Sequence, residues 1–201
     1  MNMLEGCRDR SLAGGLEWLN PPAQWGMGPG GLAVELSVVC DFFRPYSGEA
    51  HDSAHLLHAR LRGDFAVTAS VSAVLANTFD AGGLVVRGGP DLWAKLCMER
   101  GVRGETKVVS VVTRRWSDDA DHVVLPGPRT WLRITRRGAV LAFHWSEDGR
   151  VWRFVRVFAL ELPEEVMVGA LAQAPRAPGG SVAFDTLDHS RSTVADFRSG
   201  E

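Results

Sequence analysis

The most chemically suggestive run in the 201-residue chain is Leu92-Trp93-Ala94-Lys95-Leu96-Cys97-Met98-Glu99-Arg100. At strand spacing, Ala94, Leu96 and Met98 point one way and supply a core face, while Trp93, Lys95, Cys97 and Glu99 point the other. An aromatic ring, a cation and a carboxylate then line one surface. If the preceding strand-like run, Gly82 to Arg87, is its hairpin neighbour, Arg87 joins them. Such a face is either an ordinary solvated surface with a cross-strand ion pair or a ligand-binding surface, in which the aromatic stacks and the charges bond polar groups. Asp80 and Glu99 are also the carboxylates available for glycosidic acid–base chemistry, which needs two acids on either side of the scissile bond.

Other groups carry weaker chemistry. Asp41 and Arg44 bracket Phe42-Phe43 where a strand ends, as a rim ion pair or as ligand contacts. His51, His55 and His58 would align for zinc on a helix, but position 52 is aspartate where the HExxH pattern needs glutamate. On a strand, His51 and His55 share a face and His58 turns away. Asp118, Asp119 and Asp121 read as an acidic loop without the glycine and distal carboxylate of a calcium loop. No Gly-rich phosphate loop, nucleophile elbow or ExDxxE glucanase strand is present. No metal and no cofactor is expected.

The elements that must position these residues repeat with period two. Leu32, Val34, Leu36 and Val38 alternate with Ala33, Glu35 and Ser37; Phe65 to Leu75 and Leu132 to Thr135 do the same. Further strand-like runs are 106–114, 139–146, 151–158, 166–173 and 181–187. Turn signals such as Gly88-Gly89-Pro90-Asp91, Pro126-Gly127-Pro128 and Glu147-Asp148-Gly149 separate them. In the string Ser146-Glu147-Asp148-Gly149-Arg150-Val151-Trp152, Asp-Gly supplies a tight hairpin turn. No helical stripe exceeds about one turn. Many short strands at regular spacing predict an all-β, two-sheet antiparallel sandwich. Residues 16–189 form its single domain, between tails at 1–15 and 190–201, and Trp18 and Trp25 flank a structured loop at Pro21-Pro22.

Apolar residues make up 45% of the chain, which suffices for a substantial core. The net charge of −2 removes the field that nucleic acid or an anionic membrane would need. The longest uncharged run is too short and too polar for a membrane helix, and the N-terminus has no signal-peptide pattern. Three widely spaced cysteines (Cys7, Cys40, Cys97) read as reduced thiols, so a cytoplasmic protein is expected. Only two residues, Lys95 and Lys107, are lysines.

Several strings together resemble a known family. They are Trp18-Leu19-Asn20-Pro21-Pro22 with Trp25, Asp41-Phe42-Phe43-Arg44, Phe79-Asp80-Ala81-Gly82-Gly83-Leu84-Val85-Val86-Arg87, Trp93-Ala94-Lys95 with Glu99, and Val111-Val112-Thr113-Arg114 with Ser117-Asp118. The chain is similar, from about Trp18 to Leu187, to the family of unknown function typified by the yeast regulation-of-enolase protein. The resemblance implies a concanavalin A-like lectin/glucanase jelly roll. It points to Asp41, Arg44, His55, Asp80, Arg87, Trp93, Lys95, Glu99, Thr113 and Ser117 as ligand-binding residues. The family reads DNGH where this chain has Asp52-Ser53-Ala54-His55, and FDQAG where it has Phe79-Asp80-Ala81-Gly82-Gly83. The resulting expectation is a non-catalytic binding module whose concave sheet face takes a small polar ligand, a saccharide or sugar phosphate. The alternatives are a glycosidic enzyme using Asp80 and Glu99, and a regulatory protein-interaction domain.

Overall fold

A computed structural model describes residues 1–201. Sixteen strands and no helix are present: β1 (Glu17–Leu19), β2 (Trp25–Gly28), β3 (Gly31–Glu35), β4 (Phe42–Phe43), β5 (His51–Asp52), β6 (His55–Arg62), β7 (Phe65–Leu75), β8 (Ala81–Gly89), β9 (Leu92–Arg100), β10 (Thr106–Arg114), β11 (Trp116–Val124), β12 (Arg129–Arg137), β13 (Val140–Ser146), β14 (Arg153–Ala159), β15 (Glu165–Gln173) and β16 (Gly180–Ser190). Two seven-stranded antiparallel sheets stack as a sandwich. Their orders are β1-β6-β15-β8-β9-β10-β11 and β14-β13-β12-β7-β16-β3-β2, and β4-β5 forms a separate ribbon.

The alternation in the sequence is the alternation of burial. Phe65, Val67, Ala69 and Val71 of β7, with Leu132 and Ile134 of β12, meet Leu84, Val86, Ala94, Leu96 and Met98 from the facing sheet in a core of 34 buried residues. The outer face of the first sheet, read from the sequence as either a solvated or a ligand-binding surface, is largely buried. Residues 36–54 cross it, and a second cluster of ten buried residues forms there around Phe42, Val85, Trp93 and Leu171. With both faces covered, β8, β9 and β10 lose the polar–apolar contrast that marks a half-buried strand.

Both terminal segments read as tails are docked. Met3 and Leu4 enter the main core, and Met3 N–H donates to Leu187 O at 2.7 Å. At the other end, His144 Nε2 lies 2.8 Å from Phe197 O, and Arg133 donates to Gly200 O at 2.6 Å. The stretch read as an acidic loop is strand β11, paired to β10 at the sheet edge. Charges along an edge strand discourage pairing with another chain, so an edge can be this acidic and still be a strand. Trp18 and Trp25 meet edge to face, 5.4 Å between centroids, beside the Pro21-Pro22 loop. The Asp148 hairpin forms between β13 and β14. Ser146 Oγ accepts from Asp148 and Gly149 N–H, and Asp148 Oδ1 accepts from Arg150 and Val151 N–H. These bonds hold the Asp148 carboxyl down to about 2.

Candidate functional site

The 36–54 segment is pinned to the first sheet at three polar points. Arg87 meets Asp52 through two parallel bonds of 2.7 and 2.8 Å, and its guanidinium lies 5.1 Å from the Phe42 ring. Lys95 Nζ donates to Phe42 O at 2.8 Å and to Gln173 Oε1 at 2.9 Å, with Asp41 at 3.9 Å. Beyond β4, Arg44 N–H donates to Ser117 Oγ at 2.9 Å and Ser117 N–H returns a bond to Arg44 O; Ser117 Oγ also bonds Thr113 Oγ1. Phe42, fully buried, packs on Trp93.

These contacts reassign most of the ten candidates. Arg87, Arg44, Thr113 and Ser117 are fasteners of the covering segment. Trp93 is a floor of the outer cluster with no exposed face, its indole N–H bonded to Pro90 O. His55 lies beside the end of the first strand, Nδ1 2.7 Å from Asn20 O, and burial pulls its basicity down. Asp80 turns into the β7–β8 connection, where Oδ2 accepts from Ala76 and Asn77 N–H at 3.0 and 2.7 Å. That carboxylate shapes a turn, so Asp80 and Glu99 do not face each other across a cleft. Lys95 and Glu99 are not an ion pair either, since Lys95 is engaged by Phe42, Gln173 and Asp41. His55 and His58 sit on opposite faces of β6 and His51 on another strand, so the three do not converge. No group of three or more His, Cys, Asp or Glu is placed to hold a metal ion.

The remaining three candidates, Asp41, Lys95 and Glu99, line one cleft of about 610 Å³ beside the covering segment. Register builds its floor: Glu99 pairs with Lys107, Cys97 with Val109, and Lys95 with Val111. Asp119 and Asp121 of β11 form one wall, Asp41 and Phe43 the other, and Phe79, Val102 and Arg176 stand at the rim. Ala81, where the family resemblance implies glutamine, pairs with Gln173, whose amide reaches Lys95 and Phe79 O. Cys97, beneath the floor, has its thiol pushed far up by burial and is no nucleophile.

Glu99 is the unusual group. It is 8% exposed, lines the cleft, and makes no hydrogen bond or ion pair with the chain. Burial raises its carboxyl to about 7, with Lys95 and Lys107 pulling down and Asp121 and Asp41 pushing up. Asp41 is likewise raised by burial, opposed by Lys95 and His51. Lys107 pairs with Asp121 and has Glu105 at 3.9 Å. Reasoning from sequence missed Lys107, Asp119, Asp121, Phe43, Phe79 and Gln173. One signal was available: the chain's only two lysines, among twenty arginines, meet in this cleft. An ammonium is a compact point charge, which a floor with little space accommodates where a guanidinium fork does not.

The family described as protein of unknown function DUF1349 matches residues 18–192. The chain belongs to that family. It is 29% identical over 169 residues to Regulation of enolase protein 1 of Saccharomyces cerevisiae, covering 83% of this chain and 85% of that protein. Among solved structures, a functionally unknown protein from Saccharomyces cerevisiae superposes with a TM-score of 0.82 at 27% identity, over 88% of this chain and 96% of that one. The GH43 protein BlXynB of Bacillus licheniformis gives 0.73 at 12%, over 94% of this chain and 40% of that one. The carbohydrate binding module CBM66 of Bacillus subtilis gives 0.56 at 13%, over 88% and 95%. The two bacterial likenesses establish the shared sandwich fold.

Proposed function

We propose that this DUF1349 protein is a non-catalytic binding module that holds a small polar ligand, of the saccharide class, in the cleft over β9 and β10. The observation that carries the reading is Glu99: a buried carboxyl with no partner in the chain, open to a walled cavity, between two ammonium groups that are already held in place. Buried polar groups are ordinarily bonded, so an unanswered one facing a cavity is complementary to something that enters it. Phe43 and Phe79 provide apolar surface for a sugar's C–H face. The volume is in the range of small-molecule sites, roughly 300–1,000 Å³. A whole-chain likeness to a carbohydrate binding module, and a likeness to part of a GH43 chain, support the class. The glycosidic-enzyme alternative loses its second acid, because Asp80 is committed to the β7–β8 turn. The reading places the protein in the cytoplasm, with its three unpaired cysteines reduced.

The test is a thermal-shift screen of mono- and oligosaccharides, repeated with Glu99→Gln. A saccharide that raises the melting temperature of the parent protein and leaves that of the variant unmoved supports the reading. Sugar binding that is indifferent to Glu99→Gln removes the cleft from it.

A regulatory, partner-binding role is the second reading. Val39 and Val102 stand exposed at the mouth of the cleft, and the yeast relative is named for regulation of enolase. Co-elution with purified enolase, abolished by Val39→Asp with Val102→Asp, would favour it.

A further inference from the structure

Four carboxylates line the cleft, and only two have a basic partner within the chain. Lys107 pairs with Asp121, and Asp41 stands 3.9 Å from Lys95. Lys95 spends its donors on Phe42 O and Gln173 Oε1. Glu99 of β9 and Asp119 of β11 line the same cavity from either side of β10, Asp119 level with Lys95 and four residues along from Glu99, and neither has an ion-pair partner. Asp119 is exposed on the edge strand, whereas Glu99 is more than nine-tenths buried. The other basic groups lie outside this pair. Arg176 sits 5.2 Å from the Phe79 ring at the rim, and His51 is exposed at the mouth.

We propose that the cleft selects a ligand bearing a protonated amine, seated at Glu99 with its carbon skeleton against Val109 and Val111, on the side of Asp119. The inference rests on the binding-module reading and narrows its ligand class. An anionic ligand such as a sugar phosphate would bring its charge into a cleft with two unanswered carboxylates, while the lysines that could have received it are engaged. A neutral hydroxyl could bond Glu99 but would add no positive charge to a cleft in which four carboxylates face two lysines. An ammonium answers both needs, with three donors and a unit of positive charge. The same chemistry occurs in an amino sugar and in a simple alkyl amine, and the experiment separates the two.

The full chain is titrated calorimetrically at pH 7.5 with glucosamine, galactosamine, N-acetylglucosamine, glucose, glucose 6-phosphate and 1,5-diaminopentane. A hexosamine is expected to bind at least about tenfold tighter than its N-acetyl or hydroxyl counterpart, the ratio that one lost charge-assisted bond produces. Glucose 6-phosphate is expected to give no heat. Glu99→Gln should weaken the hexosamine at least about tenfold. Asp119→Asn, on the exposed strand edge, should weaken it in the same direction and by less, since that charge acts at a distance. Glucose binding as tightly as the hexosamines overturns the amine inference and leaves the saccharide reading standing. Diaminopentane binding tighter than either hexosamine keeps the amine and overturns the saccharide. Heat from none of the six, or hexosamine binding unaffected by both variants, overturns both.

Discussion

Arg87 and Asp52 form a two-bond fork, at 2.7 and 2.8 Å, that joins the middle of the first sheet to a ribbon 35 residues earlier in the chain. The guanidinium is 5% exposed, and the ring of Phe42 lies against it. The fork engages the Arg87 guanidinium within the chain. It sets where β4 and β5 lie, and so where the Asp41 wall of the cleft stands relative to Glu99.

A double-mutant cycle with Arg87→Ala and Asp52→Ala should therefore return a coupling energy of roughly 1.5–3 kcal/mol, as for a charge-assisted pair. Arg87→Lys should recover little of it, because an ammonium cannot make both bonds in parallel. Coupling near zero by denaturant unfolding would show that the fork does not hold the ribbon.

Lys95→Met should lower stability substantially even without ligand. It strips donors from Phe42 O and Gln173 Oε1, both buried, at about 1–3 kcal/mol for each acceptor left unmet. An exposed ion-pair lysine would cost about 1 kcal/mol or less. Equilibrium unfolding in urea distinguishes the two.

Glu99 makes the protein less stable as pH rises. Its carboxyl is raised to about 7 in the fold, above the ordinary value near 4.3. The folded state thus holds a proton the unfolded chain has released, and the contribution is fully present below the ordinary value and lost as pH climbs to about 7. The size is up to about 3 kcal/mol. Glu99→Gln should match the parent near pH 4.5 and exceed its melting temperature at pH 8. His55 and His144, lowered by burial, act in the opposite sense but are common to both proteins and cancel in the difference.

Hexosamine affinity should fall on acidification below pH 7, by up to about tenfold per unit, as Glu99 takes up its proton and ceases to attract an ammonium. Lys95, Lys107, Asp41 and Asp121 are the charged groups around it. Asp41, itself raised by burial, can steepen the fall. Affinity flat from pH 5.5 to 8 would dissociate Glu99 from the ligand.

Gly149→Ala should destabilise the β13–β14 hairpin. Gly149 has φ of +74°, and a Cβ there would come within 2.8 Å of the Trp131 ring. The strain costs roughly 1–2 kcal/mol before any clash, read as a lowered denaturation midpoint.

The main core was legible because its strands have one wet face: β3, β7 and β12 alternate visibly, and Ala94, Leu96 and Met98 of β9 lie where the spacing put them. β6 was not, because His55-Leu56-Leu57-His58 is covered on both sides and shows no period. The fate of the other face of β9 was hidden for the same reason. What buries Trp93 and Lys95 is Phe42, about fifty residues away, and no local pattern announces a cover that arrives from so far along the chain. Glu99 was recognisable as a charged residue at strand spacing. Its isolation was not, since that depends on Lys95 and Lys107 being taken by other partners.

The separation of the ten-residue outer cluster from the main core has a consequence for descent. The sandwich closes on its own 34 residues, whereas the Asp41 wall of the cleft belongs to a ribbon fastened from outside by a few polar rivets. Scaffold and specificity are thus separate heirlooms. A lineage can exchange the ribbon, or the handful of β9, β10 and β11 side chains it faces, and keep the two stacked sheets intact. Two proteins with the same sandwich then share an ancestor's architecture without sharing its appetite.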